Sequence, residues 1–197
     1  MLSLPVSPKY SMGPLIVGIT ALVCYLLEPA TNTLLAYDRY ALQGWETWRV
    51  ITGNFVHTNG YHLLLNLAGL ALLWLLYAEH FSVTVFLKVF IWCSLGTTLG
   101  IYWFSPQLIW YAGLSGALHG VFVWGASKDI IRGILSGWLL LAGVIGKIIY
   151  EQLYGSSTGV AELIDASVAV DAHLYGALSG ILLFGAMHTR QLLKRSA

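Results

Sequence analysis

Six apolar runs decide what this chain can fold into. They lie near residues 13–28, 62–78, 82–104, 111–126, 131–150 and 172–189, and each approaches the roughly 20 residues a helix needs to cross a hydrocarbon core about 30 Å thick. Backbone inside hydrocarbon must satisfy its own N–H and C=O groups, which a helix does within a single segment. The fold class read from the sequence is therefore all-α: a polytopic membrane protein whose six transmembrane helices form one bundle, a single domain over residues 1–197 with its core at about 13–189.

Composition excludes most other classes. Only 10% of the residues are charged and mean hydropathy is +0.73, whereas a soluble domain carries about 25% charged residues. The short connections leave no room for a soluble domain or a basic nucleic-acid patch, so the expected surroundings are the lipid bilayer and membrane proteins, with no nucleic acid. Lys9 precedes the first run as in a secretory signal, but no small-residue cleavage pattern follows Leu27 and Glu28-Pro29, so the run is read as a retained helix. Cys24 and Cys93 fall in different runs and are read as reduced packing residues.

The loops give an orientation. With six crossings, Lys9, the Lys128 and Arg132 loop, and the tail residues Arg190, Lys194 and Arg195 share one side. The other side collects Glu28, Asp38, Glu46, Glu151, Glu162, Asp165 and Asp171, offset by Arg39 and Arg49. The positive-inside rule then predicts both termini in the cytoplasm. The second, fourth and sixth runs consequently start at the outer face, where Asn66, Ser115 and His173 each lie a few residues past the boundary. At 1.5 Å per residue this is a common depth of roughly 5–10 Å. Strongly polar residues inside a membrane are candidates for function, and glycines spaced by four, at Gly96/Gly100, Gly116/Gly120 and Gly176/Gly180, allow helices to approach closely enough for such residues to meet.

The residue types suggest acyl transfer. A serine becomes nucleophilic when a neutral imidazole takes its proton, which pairs Ser115 with His173. Ser115 near a helix start has unpaired N–H groups around it, and His62 and Asn66, four apart, point the same way and supply oxyanion donors. Taken singly, each polar residue has a packing explanation; the common depth on three helices argues for a site. Asp171 is two residues from His173 and faces elsewhere on a helix, so the expectation is a dyad with Asp171 as a solvated helix-start carboxylate. His57, His62 and His173 are weighed as zinc ligands, but no Cys or carboxylate has ligand spacing beside them and HExxH is absent; no metal or other cofactor is expected. His80 and His188 sit near cytoplasmic helix ends and are given no chemistry. Transport through a polar pathway is the remaining alternative, against which stand the lack of an internal repeat and a charge count inside the runs limited to Lys147 and, near an end, Lys88.

In order and spacing, several motifs resemble the rhomboid intramembrane serine proteases: Trp48-Arg49, the His57, His62 and Asn66 series, Gly113-Leu114-Ser115-Gly116, and Ala172-His173 followed by Gly176 and Gly180. The resemblance covers residues 45–180 and implies a six-helix rhomboid-like bundle with Ser115 as nucleophile, His173 as general base, and His62, Asn66 and the Ser115 N–H as oxyanion donors. It further implies that His57, Trp48 and Arg49 are structural. One departure stands out. Many rhomboids place an aromatic residue, often tyrosine, four positions after the nucleophile, and here that residue is His119, expected to stack on or bond near His173.

The Leu118-His119-Gly120 continuation in a short chain resembles the bacterial rhombosortase subgroup. That likeness implies an inner-membrane endopeptidase, opening to the periplasm, that processes single-pass proteins ending in Gly-Gly, a hydrophobic helix and a basic cluster. A general rhomboid with other single-pass substrates and an inactive helix-binding relative remain the alternatives, and hydrolysis or transfer of the acyl group, like the oligomeric state, stays open. An outward-open polar cavity ringed by His57, His62, Asn66 and the 105–110 loop is expected, with the segment 151–170, made flexible by Gly155–Gly159, as its cap.

Overall fold

The computed structural model describes residues 4–196, without the side chain of Arg195, so that residue's place in the basic tail lies outside what is described. Six long helices run in chain order: α1 Pro8–Leu26, then, after the short helices α2 Ala30–Leu35, α3 Arg39–Gln43 and α4 Arg49–Thr52, α5 Gly60–Tyr77, α6 Val83–Phe104, α7 Ser115–Ile131, α8 Leu135–Tyr154, and, after the short α9 Thr158–Ile164, α10 Val170–Ser196. A 3₁₀ turn at Ala78–His80 closes α5.

Four of these, α1, α5 with its turn, α6 and α10, are long and apolar enough to cross a membrane. The other two fall short for physical reasons. α7 has 17 residues and is enclosed by α5, α6, α8 and α10; Ala117, Val121, Trp124 and Ala126 are buried, so it needs no lipid-facing apolar length. α8 has 20 residues but carries Lys147 and Glu151. Apolar side chains exposed on α1, α5, α8 and α10, such as Ile19, Leu72, Leu139 and Leu182, leave the outside of the bundle apolar.

Helix starts differ from the apolar runs where local chemistry intervenes. The fourth run opens at 111, yet α7 begins only at Ser115, because Trp110–Tyr111 forms strand β2, paired antiparallel with strand β1 at Tyr37–Asp38. This two-strand ladder departs from a purely helical reading. Between β2 and α7, Gly113 takes φ +120, a value open to glycine and costly for other residues, and that turn makes Ser115 the first residue of its helix.

Around this turn the segment between α1 and α5 is built on backbone bonds from buried arginines. Arg39 donates to the carbonyls of Ile101, Tyr102 and Ser105 at the end of α6, where a cation meets the negative end of the helix. Arg49 donates to Thr33 and Ala36 carbonyls and pairs with Glu46 at 2.6 Å, while the Trp48 indole donates to Leu34 O. The Gly113 N–H reaches the Gly53 carbonyl at 3.1 Å, joining the loop to the turn before Ser115.

Glycine stripes set the helix crossings at the centre. A Cβ on Gly176 would run into the Gly116 carbonyl and one on Gly180 into the Gly120 carbonyl, so α7 and α10 touch backbone to backbone. On the neighbouring face Gly96 meets Ser179 and Gly100 meets Tyr175, packing α6 on α10. Both cysteines are buried and free.

Candidate functional site

The first residue of α7 and the fourth of α10 meet at this crossing. Ser115 Oγ lies 3.1 Å from His173 Nε2, and His173 is 5% exposed. The other ring nitrogen, Nδ1, lies 2.8 Å from Glu151 Oε2. A carboxylate only accepts, so Nδ1 carries the proton and Nε2 is left as an acceptor for the Ser115 hydroxyl. Such a hydroxyl can pass its proton to the ring while its oxygen attacks a carbonyl carbon.

Glu151 stands beside the expected pair as a third group. The sequence reading counted it among the outer-loop charges; it lies in the last turn of α8, its side chain 10% exposed, with Oε1 at 2.6 Å from Lys147 Nζ. Asp171, read as solvated, accepts instead from Ser105 Oγ and Gln107 Nε2. A Lys-x-x-x-Glu pair at the end of an apolar run was the available signal, since residues four apart share a helix face.

His119 stacks on His173 with 4.1 Å between ring centroids and 19° between planes, the packing place expected for it. Its Nδ1 donates to the Ser115 carbonyl at 2.7 Å.

His62 and Asn66 approach from α5, which Asn59 caps by accepting from the His62 N–H at 2.9 Å. A Cβ on Gly113 would stand 2.7 Å from His62 Nε2 and 3.3 Å from Asn66 Nδ2, so both side chains face the turn that leads into Ser115. Asn66 Nδ2 is buried with no partner among the described residues. Thr58 decides which nitrogen of His62 is protonated. Its Oγ1 is 2.6 Å from the Ile164 carbonyl and 3.0 Å from His62 Nδ1. The Thr58 N–H also points at Nδ1, from 3.4 Å; an Nδ1 that accepts leaves the ring proton on Nε2, facing Gly113.

These residues line a cavity of about 710 Å³ between α5, α7, α8 and α9, whose wall includes His62, Asn66, Ser115, His119, Lys147 and His173. The rest of the wall is mostly apolar, and rim residues Leu65, Leu72 and Leu139 are exposed, so the cavity opens sideways between α5 and α8. This corrects the expected polar ring. Neither His57 nor the 105–110 loop lines the cavity. His57 is fully buried behind His62, edge to face at 5.0 Å, and burial, followed by the neighbouring His62, pushes its pKa down to about 3. The 151–170 segment does cover the cavity, as α9, latched by Thr58 to Ile164 O and by Asn59 Nδ2 to Leu163 O at 3.0 Å.

Among the described residues, two groups have spacing that could hold a metal ion: His119, Glu151 and His173, and, at the opposite end of α7, Glu79, His80 and Asp129. In the first, Glu151 already serves Lys147 and His173. In the second, buried His80 bonds Asp129 at 2.5 Å and fastens the end of α5 to α7. The histidine trio weighed from the sequence does not converge, because His57 is walled off. His188 stacks on Phe184.

A family profile of the Rhomboid domain matches residues 44–190, most of the chain and every residue of the site. The chain belongs to the rhomboid family of intramembrane serine proteases. With its apolar helices, this rhomboid is a multi-pass membrane protein. No curated relative matches it.

Proposed function

We propose that this rhomboid is an intramembrane serine endopeptidase of rhombosortase type, acting through Ser115 and His173 on single-pass membrane proteins. The observation that carries the reading is the 3.1 Å contact between Ser115 Oγ and His173 Nε2 in a ring whose other nitrogen is already occupied.

The proposed chemistry uses these groups in turn. Ser115 Oγ attacks the scissile carbonyl as its proton moves to His173 Nε2, and the carbonyl electrons collect on oxygen. Asn66 Nδ2, the Ser115 N–H and, with Nδ1 accepting from Thr58, His62 Nε2–H supply the oxyanion donors. The C–N bond then breaks with the proton returned from His173 to the amine. His57, Trp48 and Arg49 brace the loop, Gly113 and Gly116 shape the turn and crossing, and Gly176 and Gly180 bring His173 in. The acyl-enzyme then passes to water or to an amine.

The lateral opening suits a substrate that arrives as a membrane helix. That helix must unwind before its carbonyl reaches Ser115, and each glycine costs a helix about 1 kcal/mol relative to alanine, which favours a Gly-Gly site at the outer boundary. The reading includes six crossings, both termini in the cytoplasm, and a bacterial inner membrane with the site toward the periplasm.

The test is cleavage of a reporter ending in Gly-Gly, a hydrophobic helix and an arginine cluster. Wild type is expected to cut it and spare the Leu-Leu version, while Ser115→Ala loses at least about 10³-fold. Equal cutting of an unrelated single-pass reporter makes this a general rhomboid. A Ser115→Ala chain as active as wild type overturns the mechanism.

A further inference from the structure

We propose that Glu151 is a positioning residue that completes a Ser115, His173 and Glu151 triad, with Lys147 as its counter-ion. The inference rests on the serine protease reading above and adds a residue from α8 that Ser-His proton transfer alone does not require.

The observations converge on one carboxylate. Glu151 is buried and its two oxygens have different partners: Oε2 takes His173 Nδ1–H at 2.8 Å and Oε1 takes Lys147 Nζ at 2.6 Å. A lone carboxylate at this place would be costly to bury; Lys147, one turn earlier with its side chain 48% exposed toward the cavity, supplies the opposite charge. The pair therefore presents His173 with an anion whose own charge is balanced.

The arrangement does two things for the reaction. It fixes the tautomer, since Nδ1–H is committed to Glu151 and Nε2 stays free for the serine proton. It also balances the charge that appears. When Ser115 Oγ bonds to the carbonyl carbon, its proton joins Nε2 and the ring becomes a cation beside Lys147. With Glu151 present the group of Lys147, Glu151 and His173 goes from neutral to one positive charge, and without it from one to two. The neutral His119 ring stacked on His173 and the His62 ring across the cavity add no negative charge. Glu151 is not protonated at any step: the proton that enters at Nε2 leaves from Nε2 to the departing amine, and Nδ1–H stays in place.

A structural salt bridge and a positioning carboxylate predict different kinetics. In Glu151→Gln the side chain has one oxygen for two donors. Lys147 claims that oxygen, so the amide N–H₂ faces His173 and forces the proton onto Nε2, where the ring can no longer act as base. The expected result, with purified full-length protein in proteoliposomes and the Gly-Gly reporter, is a kcat lower by about 10³-fold with KM within about 3-fold. Adding Lys147→Met frees the amide to turn its oxygen to Nδ1–H, so the double variant regains about 10-fold or more over Glu151→Gln. A kcat for Glu151→Gln within about 3-fold of wild type, or a double variant no better than Glu151→Gln, overturns the proposal.

Should Glu151→Gln fail to fold, judged by its thermal unfolding, the comparison becomes Lys147→Met against Lys147→Met/Glu151→Gln. A further kcat loss of at least about 5-fold at unchanged KM supports the triad, and a smaller one overturns it. Ser115→Ala separates the two levels: its full activity removes the protease reading itself, whereas an inactive Ser115→Ala beside a fully active Glu151→Gln removes only Glu151.

Discussion

Arg39 and Arg49 are the two basic residues on the acidic side of the chain, and each donates to backbone carbonyls. Hydrogen bonds from charged groups contribute about 1.5–3 kcal/mol apiece when buried, so Arg49→Ala is expected to lower stability by about 2–4 kcal/mol, read as a drop in Tm in detergent with the loop around Trp48 loosened. His57 gives a pH dependence. Folded, it titrates near about 3, and unfolded near about 6.5. A depressed folded value means the unfolded chain binds the proton first, so the His57 contribution is complete above about pH 6.5 and falls as pH drops toward about 3. The expected outcome is a lower Tm at about pH 5 than at about pH 7.5, with the difference reduced in His57→Phe. Several site residues were legible only as a set: Asn66, Ser115 and His173 followed from a common depth on three helices and His62 from its four-residue spacing to Asn66, and the structure brings all four to one cavity wall. Glu151 was not, because membership of a loop or of a last helical turn depends on where α8 ends, and a charge count assigns any acidic residue near a boundary to the loop.

At the scale of elements, backbone contact between α7 and α10 leaves no room for side chains at the crossing. Gly176→Val is expected to force those helices apart, costing about 3 kcal/mol or more and separating Ser115 from His173, so both Tm and cleavage fall; Gly185→Ala, where open space surrounds the glycine away from the cavity, leaves cleavage unchanged and Tm the same or slightly higher. The α9 cap hangs on two side chains of one turn, Thr58 and Asn59. Replacing Asn59 with Ala removes the α5 cap and the bond to Leu163 together, and faster hydrogen exchange across residues 158–164 is the expected readout. Apolar periodicity made the long helices readable. It gave no hint of β1 and β2, because a two-residue ladder has too few residues to show alternation, and it put the start of α7 four residues early, because Gly113 breaks the run by its φ and not by its hydropathy.

For the whole molecule, six long helices are packed as one bundle, four of them sufficient by length and hydropathy to span a bilayer. Counting apolar runs treats a helix enclosed by its neighbours like one facing lipid, which is why α7 is plain in sequence and yet too short to qualify alone. The proposed topology predicts that green fluorescent protein fused after Ala197 fluoresces in cells and that alkaline phosphatase fused there is inactive; active phosphatase would place the tail outside.

In the proposed six-crossing topology, the pairing of Lys147 with Glu151 bears on how α8 enters the bilayer at all. A charge placed singly at the centre of an inserting helix costs about 2.5–3.5 kcal/mol; Lys147 and Glu151 stand toward the end of α8, where the cost is smaller and still has to be met. Spaced one turn apart on a common face, the two travel as a neutral dipole, so the helix brings its own counter-ion into the membrane. Removing either charge leaves the other to be inserted bare, and the first symptom of such a change would be found during biogenesis, in the fraction of chains that acquire the full topology, before any question of turnover arises.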